Sequence, residues 1–182
     1  MIIGKKTIYY KEIDSTNDEA KRLIKKGAGE GLVVVADSQT AGRGKPGSSW
    51  FSPPGAGVYL SAIIKPFKNP QDLGSITQLG ARAAASAIRK TIGLMPEIKL
   101  PNDVILKGKK VCGILVERTA SGHLIIGIGI DLNNPAGSFP SELKNTATSL
   151  KIESGKDHDL EEFIRVLLAE LDREYLAYLN EI

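Results

Sequence analysis

Four short apolar runs follow one another between Glu97 and Asp131: Glu97–Leu100, Val104–Leu106, Val111–Glu117 and His123–Asp131. Runs this short, rich in Val and Ile and broken by turn residues, read as strands. Lys107-Gly108-Lys109 and Ala120-Ser121-Gly122 leave room only for tight turns. Strands joined by tight turns pair antiparallel, because a parallel return needs a crossover of a dozen or more residues. This stretch of chain is thereby committed to hairpins.

The flanking segments add helices and further strands. Thr7–Ile13 reads as a strand, and Ser15-Thr16-Asn17 punctuates the chain after it. Thr16 and Glu19 match a capping box, which predicts a helix running to about Lys26 and ended by Gly27, Gly29 and Gly31. Leu32–Ala36 and Val58–Ile64 are apolar, β-branched runs and predict buried strands. Asp72–Ile92 predicts a long Ala-rich helix with Leu73, Ile76, Leu79, Ala83, Ala87 and Ile88 on one face, its end marked by Pro96. Leu160, Phe163, Ile164, Leu167, Leu168, Leu171, Tyr175 and Leu179 form the core stripe of a last helix. The pattern predicts an α+β fold, a mixed and mainly antiparallel sheet with helices packed on one face. Neither a repeat nor a low-complexity linker divides it, so residues 1–182 are expected to form one domain.

Composition excludes several functions. A net charge of +3 is too small to point to nucleic acid, and the lysine clusters, Lys107 to Lys110 among them, read as solvated surface. The single cysteine, Cys112, lies in an apolar run and reads as core. Neither His123 nor His158 falls in a metal-ligand spacing, so no metal site is expected. Met1–Lys6 lacks the apolar core of a signal peptide, and there is no apolar run of the roughly 18 residues that a membrane span needs. The expected location is the cytoplasm, with no membrane partner.

The candidate chemistry sits in the connections. Asp37–Gly57 is a loop of about 20 residues, a length usually reserved for binding loops and lids. Within it, Gln39 to Trp50 combines Gly42, Gly44 and Gly47 with Arg43, Lys45 and an aromatic residue. Glycines let backbone amides approach a ligand, and the cations suit an anion with an apolar part; on composition alone, a surface loop without function fits equally well. The spacing is neither that of a Walker loop nor that of a dinucleotide fingerprint. Lys99-Leu100-Pro101-Asn102-Asp103 places a lysine at a strand end, fit either to stabilise a phosphoryl group or simply to be solvated. Gly113–Glu117 and Gly127–Asn134 are strands with glycines, which mark close approach of a ligand or tight packing.

Taken in order, these segments resemble biotin–protein ligases. The matches are Ser15-Thr16-Asn17, the Gln-Thr-x-Gly-Arg-Gly loop ending in Trp50, Lys-x-Pro-Asn-Asp at Lys99, and Gly-Ile-Leu-Val-Glu at Gly113. Gly-Ile-Gly-Ile-x-Leu-Asn at Gly127 and Ala147-Thr148-Ser149-Leu150 complete the set. The resemblance implies a class II synthetase-like catalytic domain. It also implies ATP with Mg²⁺, biotin as substrate, biotinyl-5′-AMP as intermediate and a lysine of a biotin carboxyl carrier protein as acceptor. It allows a homodimer. The family's N-terminal DNA-binding and C-terminal SH3-like domains have no counterpart in these residues, so no transcriptional role is expected.

By the same resemblance Ser15, Thr16, Asn17 and Gln39 hold the ureido ring, and Trp50 walls the aliphatic arm. Gly42, Arg43, Gly44 and Lys45 cover carboxylate and phosphate. Gly113 and Leu115 line the biotin side. Lys99, with Arg43 and Lys45, is the implied catalytic group, bridging carboxylate and α-phosphate. Asn102, Asp131 and Asn133 join Arg43, Lys45, Trp50 and Lys99 around the nucleotide. The chain departs from the family at Lys45, where arginine is usual, and at Ser48, where a basic residue often stands. Leu100 replaces a common tryptophan and Asp131 an asparagine. Two alternatives stay open: a biotin or biotinyl-adenylate binding module with weak transfer, and a lipoate-type ligase or acyltransferase.

Overall fold

The computed structural model describes residues 1–68 and 70–181; Asn69 and Ile182 of the expected 1–182 domain lie outside it. The strands are β1 (Lys6–Ile13), β2 (Leu32–Gln39), β3 (Gly57–Ile64), β4 (Glu97–Lys99), β5 (Asp103–Leu106), β6 (Lys109–Arg118) and β7 (Leu124–Asp131). They form one sheet in the order β1-β2-β3-β7-β6-β5-β4. β1 and β2 are parallel, joined through helix α1 (Thr16–Lys25), and every other pairing is antiparallel. The expected hairpins are present. Lys107 and Gly108, both at positive φ, make the two-residue turn between β5 and β6. The expectation of a mixed, mainly antiparallel α+β sheet is met.

The helices do not share one face. Helices α2 (Gly74–Ile92) and α4 (Leu160–Glu181) pack on the side of Val33, Val35, Leu60, Ala62, Ile126 and Ile128. Helix α1 packs on the other, over Leu32, Val34, Ile63 and Ile125. Successive strand side chains point to opposite faces, so an unbroken apolar run must be covered twice. β2 and β3 are such runs, buried nearly end to end. The short helix α3 (Leu150–Ser154), absent from the sequence reading, follows the Ala147–Leu150 motif.

The start of helix α1 differs from expectation. Ser15, not Thr16, is the N-cap of α1, and its side chain makes no capping bond. Thr16 is already helical, and its hydroxyl pairs with Ser61 Oγ at 2.8 Å. Glu19 turns away to accept from Tyr10 and Arg22. The helix forgoes a cap worth about 1 kcal/mol and keeps the Ser15 hydroxyl clear of its own backbone. Helix α2 ends at Ile92 as expected, and the residue that stops it is Gly93, in the left-handed region at φ 77°, three residues before Pro96.

Ser149 does cap α3. Its Oγ accepts from Ile152 N at 3.1 Å and donates to the buried Asn134 carbonyl at 2.7 Å. Ser149→Ala is expected to lower the unfolding free energy by about 1–2 kcal/mol. Urea denaturation checks this, and an unchanged midpoint would count against the cap.

Candidate active site

On the α1 face of β7 the side chains run Ile125, Gly127, Gly129, Asp131. Ile125 belongs to the core under α1. The two glycines beyond it withhold the side chains that would continue that core. β6 does the same at Gly113, which pairs with Gly129, while Leu115 pairs with Gly127. The result is a cavity of about 280 Å³ floored by β6 and β7.

Its contents follow the strand axis, about 13 Å from Gly127 to Asp131 at the usual rise. At the first station Asn17 occupies the space over Gly127, where a Cβ would collide with its amide. Asn17 Nδ2 donates to Glu117 Oε2 at 2.7 Å, and Asn17 Oδ1 accepts from Ser61 Oγ at 2.5 Å. Gln39 Oε1 accepts from the Thr16 amide at 2.8 Å, and its Nε2 donates to Ser52 Oγ at 2.9 Å. These side chains hold one another, and Ser15 joins them in the wall. This end is polar and hydrogen-bonding.

At the second station Trp50 lies on the glycines. A Cβ at Gly129 would stand 2.5 Å from its Nε1 and Cε2, and one at Gly113 would stand 2.8 Å from its Cζ3. The loop carrying it is a tight hairpin in which Arg43 bridges Ser49 and Trp50 N donates to Gly42 O at 2.9 Å. Gly42 lies beneath the loop, where a Cβ would meet Trp50 O at 2.5 Å; Gly44 and Lys45 reach the cavity wall. Lys45 is exposed at the mouth.

The third station is charged. Lys110 Nζ sits 5.3 Å from the Trp50 ring centroid and 2.7 Å from Asp103 Oδ1. Asn102 and Asp131 share this end of the wall, each buried and each with an Oδ1 that lacks a hydrogen-bond partner among the described residues. Burial pushes the Asp131 carboxyl well above the ordinary carboxylate range, with Lys110 partly opposing the shift. The 143–147 segment closes this end; Lys110 N donates to Thr146 O at 2.8 Å, and Thr148 N to Lys110 O at 2.9 Å.

Three expected positions, Gly42, Lys99 and Asn133, lie outside the cavity wall, and a fourth, Arg43, is engaged by carboxylates. Lys99 is exposed on β4, the edge strand, and is not in the cavity wall. Asn133 is turned away to brace the chain, exchanging hydrogen bonds with His158 N and O at 2.9 and 2.8 Å. Arg43 touches the cavity, but its guanidinium is held by Glu117 and Asp18 and so does not stand open to an anion. Burial pushes the Glu117 carboxyl up, yet hydrogen bonds from Arg43, Lys21 and Asn17 outweigh it and leave it below its usual value.

Lys110, and not Lys99, is the strand lysine that lines the cavity. Simple alternation puts Lys110 with Cys112 and Ile114, on the α2 face. Ile105 pairs with Lys110 and Val104 with Cys112, so Val111 is an extra residue and the strand bulges there. The bulge resets the alternation and brings Lys110 onto the face of Gly113, where a Cβ would meet Lys110 Nζ at 3.3 Å. A lysine three residues before a strand glycine was the available signal; it had been read as one of a surface cluster.

The chain matches the family model described as Biotin/lipoate A/B protein ligase family over residues 9–131, and it belongs to that family. It is 38% identical to the bifunctional ligase/repressor BirA of Bacillus subtilis, over 98% of this chain and 56% of the relative. It is 30% identical to the biotin–[acetyl-CoA-carboxylase] ligase of Mycobacterium tuberculosis, over 91% of this chain and 62% of the relative. Among solved structures, the Aquifex aeolicus biotin protein ligase in complex with biotin and ATP matches with a TM-score of 0.86 at 34% identity. That match covers 97% of this chain and 72% of the other. The chain thus spans little more than half the length of these curated relatives.

Two outcomes follow from the geometry. Gly129→Ala is expected to lift the indole from the floor, and Trp50 is the sole tryptophan. Its fluorescence emission should shift to the red; an unchanged spectrum would place the ring elsewhere. Asp131 binds its proton more tightly folded than unfolded, so its contribution to stability falls as pH rises above about 4 towards the raised folded pKa. Asp131→Asn should remove that fall, so that the stability of the variant relative to the parent rises with pH across this range. Thermal melts between pH 4 and 8 read this out, and parallel curves for the two proteins would contradict it.

Proposed function

We propose that this chain is the catalytic part of a biotin–protein ligase. In the first step a carboxylate oxygen of biotin attacks the α-phosphorus of ATP, and pyrophosphate leaves. In the second the amine of a carrier lysine attacks the carbonyl of the mixed anhydride, AMP leaves, and the nitrogen loses a proton as the amide forms. The attacking groups come from the substrates, so the protein's task is to position anions and to stabilise charge.

The observation that carries the reading is the order of the three stations along β6 and β7. The polar end at Ser15, Thr16, Asn17 and Gln39 suits the ureido ring, whose polar atoms must find partners when buried. Trp50 covers the aliphatic arm. Lys110 then stands where carboxylate and α-phosphate meet, with Lys45 at the mouth towards the outer phosphates. Asn102 and Asp131 offer buried polar groups to the nucleotide. Among the described residues no group of three or more His, Cys, Asp or Glu side chains is placed to hold a metal ion. Mg²⁺ therefore fits as a companion of the ATP phosphates, the way this ion usually binds. The ring-binding end and the aromatic lid favour biotin over lipoate, and competition between the two acids tests that choice.

Lys110→Ala is expected to lower biotin-dependent pyrophosphate release about 100-fold, the scale of losing one charge-stabilising donor. Lys99→Ala should stay within about twofold of the parent, as exposed side chains away from a site do. The reverse pattern would return the role to Lys99. A parent protein that releases no pyrophosphate with biotin and MgATP would overturn the ligase reading itself.

A further inference from the structure

Glu117 is not in the cavity wall, yet it stands where α1, β6 and the glycine loop meet. Its Oε1 accepts from Arg43 Nη1 at 3.1 Å and Lys21 Nζ at 2.8 Å. Its Oε2 accepts from Arg43 Nη2 at 2.6 Å and Asn17 Nδ2 at 2.7 Å. Asp18 Oδ1 adds contacts to Arg43 at 2.8 Å and Lys21 at 3.2 Å. Two cations thus face two carboxylates, and the cluster is neutral as a unit. Arg43 and Glu117 engage through both nitrogens and both oxygens, the strong form of this pair.

The loop's other bonds explain why this grip matters. The Arg43–Ser49 bridge, Gly44 N to Ser48 O and Trp50 N to Gly42 O all close the loop on itself. At its root Thr40 N and Ala41 N donate to Ile13 O and Asp14 O. Beyond the root, the hairpin tip is tied to the body by the Trp50 seat and by Arg43. The indole gives contact without direction. The bidentate ion pair gives direction, because its two parallel bonds fix where the loop stands over the floor.

We propose that Glu117 is a positioning residue: by gripping Arg43 it holds the glycine loop closed over the cavity, and so sets the affinity for the acid substrate without touching it. The kinetic consequence rests on the ligase reading above; the mechanical one does not. Arg43 accordingly acts first as the loop's anchor, and Asn17 links the same carboxylate to the polar end of the cavity.

The test uses Glu117→Gln in the whole chain and two readouts. Hydrogen exchange of amides 42–50 in the ligand-free protein reports the loop; exchange in α4 serves as the control. Steady-state pyrophosphate release reports biotin KM and kcat separately. Expected are loop amides that exchange about tenfold faster with α4 unchanged, and a biotin KM about tenfold higher with kcat within about twofold, the scale of a lost charge-assisted pair. The paired exchange Arg43→Glu with Glu117→Arg should recover much of the loop protection that either single change removes. Should Glu117→Gln fail to fold, the half-exposed Asp18→Asn is expected to move both readouts the same way by a smaller factor. The proposal is overturned by parent-like loop exchange, by a kcat loss at constant KM, or by a lowered KM, which would mean that the carboxylates compete with substrate for Arg43. Faster loop exchange in a chain with no biotin-dependent pyrophosphate release would uphold the anchor and defeat the ligase reading.

Discussion

A sheet covered on both faces has no natural room for a ligand, because apolar side chains fill each face to core density. Gly113, Gly127 and Gly129 withhold those side chains from the α1 face while Ile114, Ile126, Ile128 and Ile130 keep the other face packed. The cavity is therefore cut into one side of a sheet that stays rigid on the other. Everything set into it depends on that notch. Asn17 occupies the space above Gly127, Trp50 rests on Gly113 and Gly129, and Lys110 folds in beside Gly113. A methyl group at any of these glycines collides with a site residue rather than with spare volume.

The second constraint is electrostatic. Cations brought beside a half-buried cavity must be matched or they are expelled. Arg43 and Lys21 are matched by Glu117 and Asp18, and Lys110 by Asp103. Asp131 has no comparable match among the described residues: its Oδ1 has no hydrogen-bond partner there, and burial favours its neutral acid while the Lys110 charge opposes the shift. A neutral acid presents a donor and an acceptor side by side, much as the asparagine usual in the resembled family does. The substitution thus alters the wall less than its formal charge suggests.

Much of the fold was legible along the chain. The tight turns at Lys107–Lys109 and Ala120–Gly122 required hairpins, and the helical stripes at Asp72–Ile92 and from Leu160 required amphipathic helices. The glycines of β6 and β7 and the Gln39–Trp50 loop drew attention to the right places. What failed was direction. The capping-box pattern at Thr16 and Glu19 is local, and it lost to tertiary partners: Ser61 took the Thr16 hydroxyl, and Tyr10 and Arg22 took Glu19. The unbroken apolar runs of β2 and β3 already implied two covered faces, yet helices were expected on only one.

The sequence by itself determined every element but the short helix α3, their order, the antiparallel hairpins and the family, because periodicity, turn chemistry and motif order are properties of neighbours along a chain. The tertiary structure decided which lysine enters the cavity and what Arg43 holds. One extra residue at Val111 turns Lys110 to the α1 face, while the edge position of β4 leaves Lys99 outside. Glu117 meets Arg43 across 74 residues of sequence. A bulge and a long-range ion pair both come from pairing register between distant segments, and register is set only when the sheet assembles.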